Sequence, residues 1–402
     1  MKRQGWIGFL IGIFFCLLMV LPPVVQASLD VDGNWSGVLL LNSQNQSGGT
    51  YWDGTDNTDA YIRAGINVGG LAGDTGSDHW SVFNTGNVSN GSASGIIFGR
   101  PWFLESGTVY NNGYIYGDTN GIKMGAGTVT NGGMIHGDYD YGIYQYSLGA
   151  SNFTVINGVT TPLTVSFDPD THAMTVTPGT PTEDDYGIGT IEGYGGGIYS
   201  YIGGAGTATV TNYGTIIGYG GSFSGDGVAL ESDGDALSAT VNNSGTIIGG
   251  YGGYYGNGVD IRGFKTATVT NSSNIWSYDS NDYDAAVYIG YGGSANVTNS
   301  GDIWAYGDGI YIENTNTVTV TNEATGKIYS DDYDGIYIDS VGSAKVTNLG
   351  IIDGDEEGVH VSDADSATVL NGATMNELGE VTVVGGGEIS GYEGVDFYEV
   401  EM

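Results

Sequence analysis

The ten residues Thr209-Val210-Thr211-Asn212-Tyr213-Gly214-Thr215-Ile216-Ile217-Gly218 return along the chain with small edits. Clear copies start at Thr128, Thr240, Thr268, Asn296, Thr319 and Lys345, and looser ones surround Asn84, Asn111, Asn157 and Asn371. From Asn111 onward the asparagines are spaced by 20, 26, 55, 31, 28, 28, 23, 26 and 23 residues. A strand-like phrase returning every 20 to 31 residues is the mark of a solenoid in which each repeat makes one coil.

Within the phrase, the two-residue period of a strand separates two faces. Ala208 and Val210 fall on one side and the threonines on the other, so the apolar set points inward. Asn212 shares the parity of Val210 and points inward at a corner. Stacked on its equivalents, such an asparagine can form an amide ladder that satisfies a group otherwise costly to bury. The expected structural ladder comprises Asn111, Asn131, Asn212, Asn243, Asn271, Asn299, Asn322 and Asn348.

After the corner the pattern x-Gly-x-Ile-x-Gly places Ile115, Ile135, Ile216, Ile247, Ile275, Ile303, Ile328 and Ile352 inward. The residue following each one points out. A third short strand has the form Gly-[Ile/Val]-x-[Ile/Leu/Met], as at Gly258-Val259-Asp260-Ile261 and Gly309-Ile310-Tyr311-Ile312. Three strands and three corners predict an all-β chain, a right-handed parallel β-helix of about eleven coils, on the order of 50 Å long at the strand spacing of parallel sheets. Corner glycines are expected to supply positive backbone angles.

The first 27 residues read as a secretory signal peptide: Lys2 and Arg3, an apolar run over 7–20, and a small-residue exit at Ala27. The run is shorter than the roughly 20 residues of a membrane-spanning helix. Residues 28–80 lack the clear repeat and read as an N-terminal cap with irregular first coils; 81–402 read as the β-helix. The 55-residue gap has a local cause, since strand-like runs flank Asp168-Pro169-Asp170-Thr171, which predicts a hairpin inserted at about 159–186.

All 46 acidic residues but only seven of the nine basic ones lie beyond Ala27, which leaves that part at a formal charge of −39. A surface of this sign repels nucleic acid and anionic lipid, and neither is expected as a partner. Its one cysteine, Cys16, lies in the signal peptide, so stability must come from packing and hydrogen bonds instead of disulfides.

No nucleophile elbow, phosphate-cradling loop or histidine cluster is legible; His79, His136, His172 and His360 fall in different coils or insertions. Arg262 beside Asp260 is the best candidate for a base near acids. No cofactor is expected other than calcium, for which Asp279, Asp282 and Asp284 (with Asn281) at one corner and Asp331, Asp332 and Asp334 at another are the candidate ligands. The outward aromatic residues Tyr116, Trp276, Trp304 and Tyr329 are a candidate surface for stacking on carbohydrate, with Tyr288, Tyr311 and Tyr337 on the third face. Such ladders also stabilise exposed sheet faces, and that role is the stronger expectation.

With its signal peptide, Val-Thr-Asn-x-Gly-x-Ile coils and Gly-Asp-Gly-Ile corners, the chain resembles the passenger regions of Gram-negative autotransporters over about 81–397. These are exported β-helices of the pectin-lyase-like class, often adhesins. The resemblance implies a non-enzymatic protein of the cell surface, outer membrane or extracellular space, acting in adhesion or as a scaffold. Its partners would be host or neighbouring-cell surface carbohydrate or protein. Autotransporters end in a membrane β-barrel, and nothing after Phe397 reads as one, so a barrel is expected to be encoded elsewhere or lost by truncation. The alternative on the same fold is a polysaccharide lyase or glycoside hydrolase.

Overall fold

In a computed structural model the chain winds as a right-handed parallel β-helix. The structure describes residues 80–84, 87–100, 103–104, 106–161, 163–168, 173–178, 186–220, 225–252, 255–278, 284–375, 381–383 and 385–400, with four short strands before residue 69. The signal peptide read over 1–27, most of 28–80, His79, His172, Asp279, Asn281 and Asp282 lie outside the described residues.

Three parallel sheets form the walls. The first takes the Thr-Val-Thr-Asn strands, among them Thr207–Asn212, Ser238–Asn243 and Thr266–Asn271. The second takes Thr215–Gly218, Thr246–Gly249 and Asn274–Ser277, and the third Asp226–Ser232, Val259–Arg262 and Ala285–Gly290. The first and second sheets each hold twelve strands, against the eleven or so coils expected. The difference lies at the start, where Leu29–Val31, Val38–Leu41, Tyr61–Ile62 and Ile66–Val68 already join the sheets. Among the described residues there is no helix.

Register follows the repeat. Val210 pairs with Val241 and Asn212 with Asn243, then Ile216 with Ile247 and Val228 with Val259. Every inward isoleucine predicted for the second sheet is fully buried, as are the third-sheet pairs Val228 and Leu230, Val259 and Ile261, and Ile310 and Ile312. These side chains form one continuous core down the axis. β-branched residues suit the strands because both faces of the pleat are packed from above and below.

At the corner between the first and second sheets the asparagines form an unbroken ladder. Each Nδ2 donates to the Oδ1 of the next coil, from Asn84 through Asn111, Asn131, Asn157, Asn212, Asn243, Asn271, Asn299, Asn322 and Asn348 to Asn371, at 2.7–3.0 Å. The ladder thus extends beyond the expected eight to include Asn84, Asn157 and Asn371. The amide also serves the corner: Asn243 Nδ2 donates to the Gly245 and Asn274 carbonyls, and Asn243 Oδ1 accepts from the Gly245 N–H.

Coil length varies inside this same corner. Asn322 reaches the carbonyl of Gly326, four residues on, where other coils use the second residue on. Asn157 reaches the carbonyl of Gly189, and between them Leu163–Asp168 pairs antiparallel with Ala173–Pro178. A second hairpin, Ala373–Met375 with Val381–Val383, occupies the equivalent corner after Asn371. It was not legible in the sequence because its strands are only three residues each.

The corner glycines divide between the cause expected and another: Gly158, Gly250, Gly263 and Gly372, among others, do carry positive backbone angles. Gly214, Gly245, Gly227 and Gly258 do not carry positive backbone angles. They are required because neighbouring coils leave no room: a Cβ on Gly245 would strike the carbonyl oxygen of Gly214, and one on Gly258 would stand 2.7 Å from Cγ2 of Ile275. Close approach of backbones, rather than left-handed geometry, selects glycine there.

Replacing Asn243 by alanine strands the Asn212 amide donor and the Asn271 acceptor in the core. The cost should be about 2–4 kcal/mol, whereas Asn371→Ala, at an exposed rung, should cost about 1 kcal/mol. Urea unfolding midpoints of the two variants check the difference, and equal midpoints would contradict a stabilising ladder.

Candidate functional site

Inward positions are spent on the core, so chemistry must lie on the outward columns. On the second sheet the column runs Tyr116, His136, Glu192, Ile217, Ile248, Trp276, Trp304, Tyr329 and Asp353. Four positions therefore separate Tyr116 from Trp276, and the four predicted aromatics are not one strip. Trp276, Trp304 and Tyr329 do stand on successive coils, each partly exposed.

The coil spacing decides how these rings can be used. Parallel strands lie about 4.7–4.9 Å apart, close to the distance at which aromatic rings stack. Tyr116 stacks on His136 at 5.3 Å with 7° between planes, and on the third sheet Tyr311 stacks on Tyr337 at 5.0 Å and 13°. Rings stacked down the axis cover one another's faces and leave edges and hydroxyls outward, which favours the stabilising role. Trp304 differs. It meets Tyr278 and Tyr306 edge to face, at 67° and 64°, and its Nε1 donates to Asp331 Oδ1 at 3.2 Å.

Lower in the same column, His136 Nδ1 lies 2.6 Å from Glu192 Oε1, and the Tyr219 hydroxyl donates to Glu192 Oε2 at 2.8 Å. The hydrogen bond to Glu192 raises the imidazole above its usual pKa, and the same bond lowers the carboxyl. Glu192 joins this arrangement only because the hairpin is excluded from the coil, so that Met134–Gly137 pairs with Thr190–Gly193.

On the third sheet, Arg262 grips Asp260 with Nε and Nη2, each at 2.8 Å, and lies 4.5 Å from the Tyr288 ring centroid. Its charge is thereby held more firmly than usual, and it cannot act as a base. Asp260 itself is buried; burial raises its pKa most, with Asp226 adding to this and the guanidinium opposing it. Asn257 stands between these two acids and donates to both, at 3.3 Å each. Tyr288 and Tyr311 are buried on this face, with the Tyr288 hydroxyl donating to Glu313.

At the second candidate calcium corner the acids separate. Asp331 and Asp332 are exposed, with Asp331 engaged by Trp304, while Asp334 turns onto the third sheet and is buried. Its N–H donates to Asp308 Oδ1 at 3.0 Å, and its own Oδ1 accepts from the Glu357 N–H at 2.8 Å. Asp308, Asp334 and Glu357 thus hold the same place, before the glycine, in three successive coils. Burial raises Asp308, and a hydrogen bond to Asp334, with burial second, raises Glu357 to about 7. His360 stands beside them with Nδ1 3.4 Å from Asp334 Oδ2. This group was missed in the sequence because its members lie 23 and 26 residues apart, in coils of unequal length.

No family model, curated protein or solved structure matches the chain.

The His136–Glu192 pair predicts a pH window. Glu192, held below its ordinary 4.5, contributes stability above that pH and loses it as pH falls through the lowered value. His136, raised from 6.5, contributes fully below 6.5 and loses its share as pH rises through the raised value. Glu192→Gln should therefore cost most between pH 4.5 and 6.5, about 1 kcal/mol for a partly exposed pair. The His136 titration followed by NMR should move down in the variant; an unmoved titration would remove the pairing.

Proposed function

We propose that the protein is a non-enzymatic, exported β-helix acting in adhesion or as a surface scaffold, of the kind that autotransporter passengers form. The observation that carries this reading is the strip Trp276, Trp304 and Tyr329, held partly exposed on three successive coils of a rigid rod. The two tryptophans are paired in register on adjacent strands, and Trp304 meets its tyrosine neighbours at steep angles instead of lying in a parallel stack with them. Aromatic faces of this kind suit the apolar faces of sugar rings. A formal charge of −37 on the chain opposes anionic polysaccharides, so the ligand class is neutral surface glycan.

Binding of the immobilised protein to a panel of neutral polysaccharides tests this reading. The unaltered protein should bind at physiological ionic strength, and the double change Trp276→Ala with Trp304→Ala should weaken binding by about tenfold or more, the scale of losing one to two kcal/mol of aromatic contact. Tyr116→Ala, outside the strip, should leave binding unchanged. Release of sugar fragments during the assay would instead favour the polysaccharide-cleaving alternative.

A further inference from the structure

We propose that Asp334, Glu357 and His360 form a binding site for a first-row divalent metal ion of the zinc type. The three side chains bring His360 Nδ1, Asp334 Oδ2 and a Glu357 oxygen within 4.8 Å of one another. His360 Nδ1 stands 3.4 Å from Asp334 Oδ2 and 3.8 Å from Glu357 Oε2. Charge-assisted hydrogen bonds between such groups close to about 2.7–2.9 Å, so His360 is not drawn fully onto either carboxylate. The first matches the edge of a tetrahedron, since donors about 2.0–2.1 Å from a common zinc ion stand about 3.3–3.5 Å apart, and the second exceeds it by a few tenths of an ångström, which a small turn of the Glu357 carboxyl closes.

A separate observation comes from the far side of the ring. Nε2 of His360 is closed off from solvent and has no hydrogen-bond partner. The nearest anion is Asp396 Oδ2, at 3.9 Å on the next coil. Ligation through Nδ1 fixes the remaining proton on Nε2, the nitrogen nearer that carboxylate, and closure of the 3.9 Å gap would complete the carboxylate–histidine pairing that supports ligating imidazoles. The buried, unpartnered nitrogen thereby acquires a reason.

The remaining geometry leaves the donors in place. Asp334 Oδ1 is occupied by the Glu357 N–H, which presents Oδ2 to the ion, and Tyr337 lies against the His360 ring at 5.0 Å. The imidazole distinguishes this site from the calcium corners expected from sequence. Calcium takes six to eight oxygen ligands, whereas imidazole with carboxylate suits zinc and its neighbours. The column itself shows the contrast. Between Asp226 and Asp260 the neutral, donating Asn257 separates the acids, but Asp308, Asp334 and Glu357 follow one another, linked by backbone N–H donors and a hydrogen bond between the Glu357 and Asp334 carboxyls, with His360 as the basic side chain beside them.

Calorimetric titration of Zn²⁺ into the full tag-free chain, stripped with chelator and held at physiological ionic strength near neutral pH, tests the site. One stoichiometric binding event is expected, which excess Ca²⁺ does not abolish. His360→Ala and Glu357→Gln should each weaken it by about tenfold or more, and Asp396→Asn by about tenfold, the usual range for a supporting carboxylate. Asp331→Asn with Asp332→Asn should leave it unchanged, which separates the site from diffuse attraction to an acidic surface. Absence of a stoichiometric event, or unchanged zinc affinity in a His360→Ala protein with an unaltered circular dichroism spectrum, overturns the proposal. Should His360→Ala not fold, Co²⁺ added to the unaltered chain decides: intense visible bands of a tetrahedral, nitrogen-ligated ion support the site, and their absence overturns it.

Discussion

A primary amide buried in an apolar core must find a partner for every hydrogen, and that requirement organises the whole rod. From Asn111 to Asn322 each ladder asparagine gives one hydrogen to the amide of the next coil and shares the other between carbonyls of its own corner and the next. Its oxygen accepts from the preceding amide and, in most coils, from a corner N–H. One residue thus fixes the stacking register and the shape of the turn together. All ten ladder bonds point the same way along the axis, so their dipoles reinforce one another in a low-dielectric interior. A slipped coil would strand buried donors, at a cost comparable to losing several good contacts.

The same rule explains where the chain tolerates insertions. The hairpin at 163–178 and the two extra residues before Gly326 both enter between a ladder asparagine and the residue that returns a carbonyl to it, and the hairpin at 373–383 follows Asn371 at the same corner. Thirty-two residues separate Asn157 from Gly189, yet Asn157 still bonds Asn212 at 2.8 Å. The constraint acts on the two ends of the corner and is indifferent to the length between them. Loop closure costs grow only slowly with length, so a corner held at both ends can carry such a hairpin without disturbing the stack.

Much of this was legible in the residues. The inward isoleucines and the asparagine ladder could be read because a strand's parity and a recurring phrase together fix which side chains face the axis. The role of the glycines was read only in part, since a sequence shows that a small residue is needed but not whether an angle, as at Gly158 and Gly372, or a neighbouring carbonyl, as at Gly245, demands it. The aromatic strip was half legible. Tyr116 and Trp276 occupy equivalent places in their coils, but His136, Glu192, Ile217 and Ile248 lie between them in the stack.

The acidic group on the third face was illegible for a related reason. Asp331, Asp332 and Asp334 are neighbours along the chain, and chain proximity suggested a common ligand cage. In a parallel solenoid the short distance runs between coils, about 4.7–4.9 Å, while alternate residues of one strand are about 6.6 Å apart on a face. Asp334 therefore keeps company with Asp308 and Glu357, not with the aspartates beside it in sequence. The same geometry presses like charges together, and the chain relieves that repulsion differently at each height. Asn257 and Arg262 compensate Asp226 and Asp260 with donors supplied by the chain itself. One imidazole serves Asp334 on the preceding coil and Glu357 on its own strand, at 3.4 and 3.8 Å. The second of these clusters relies on backbone donors, a carboxyl–carboxyl hydrogen bond and one imidazole, with no guanidinium such as Asp260 has, and an external cation has more to add there.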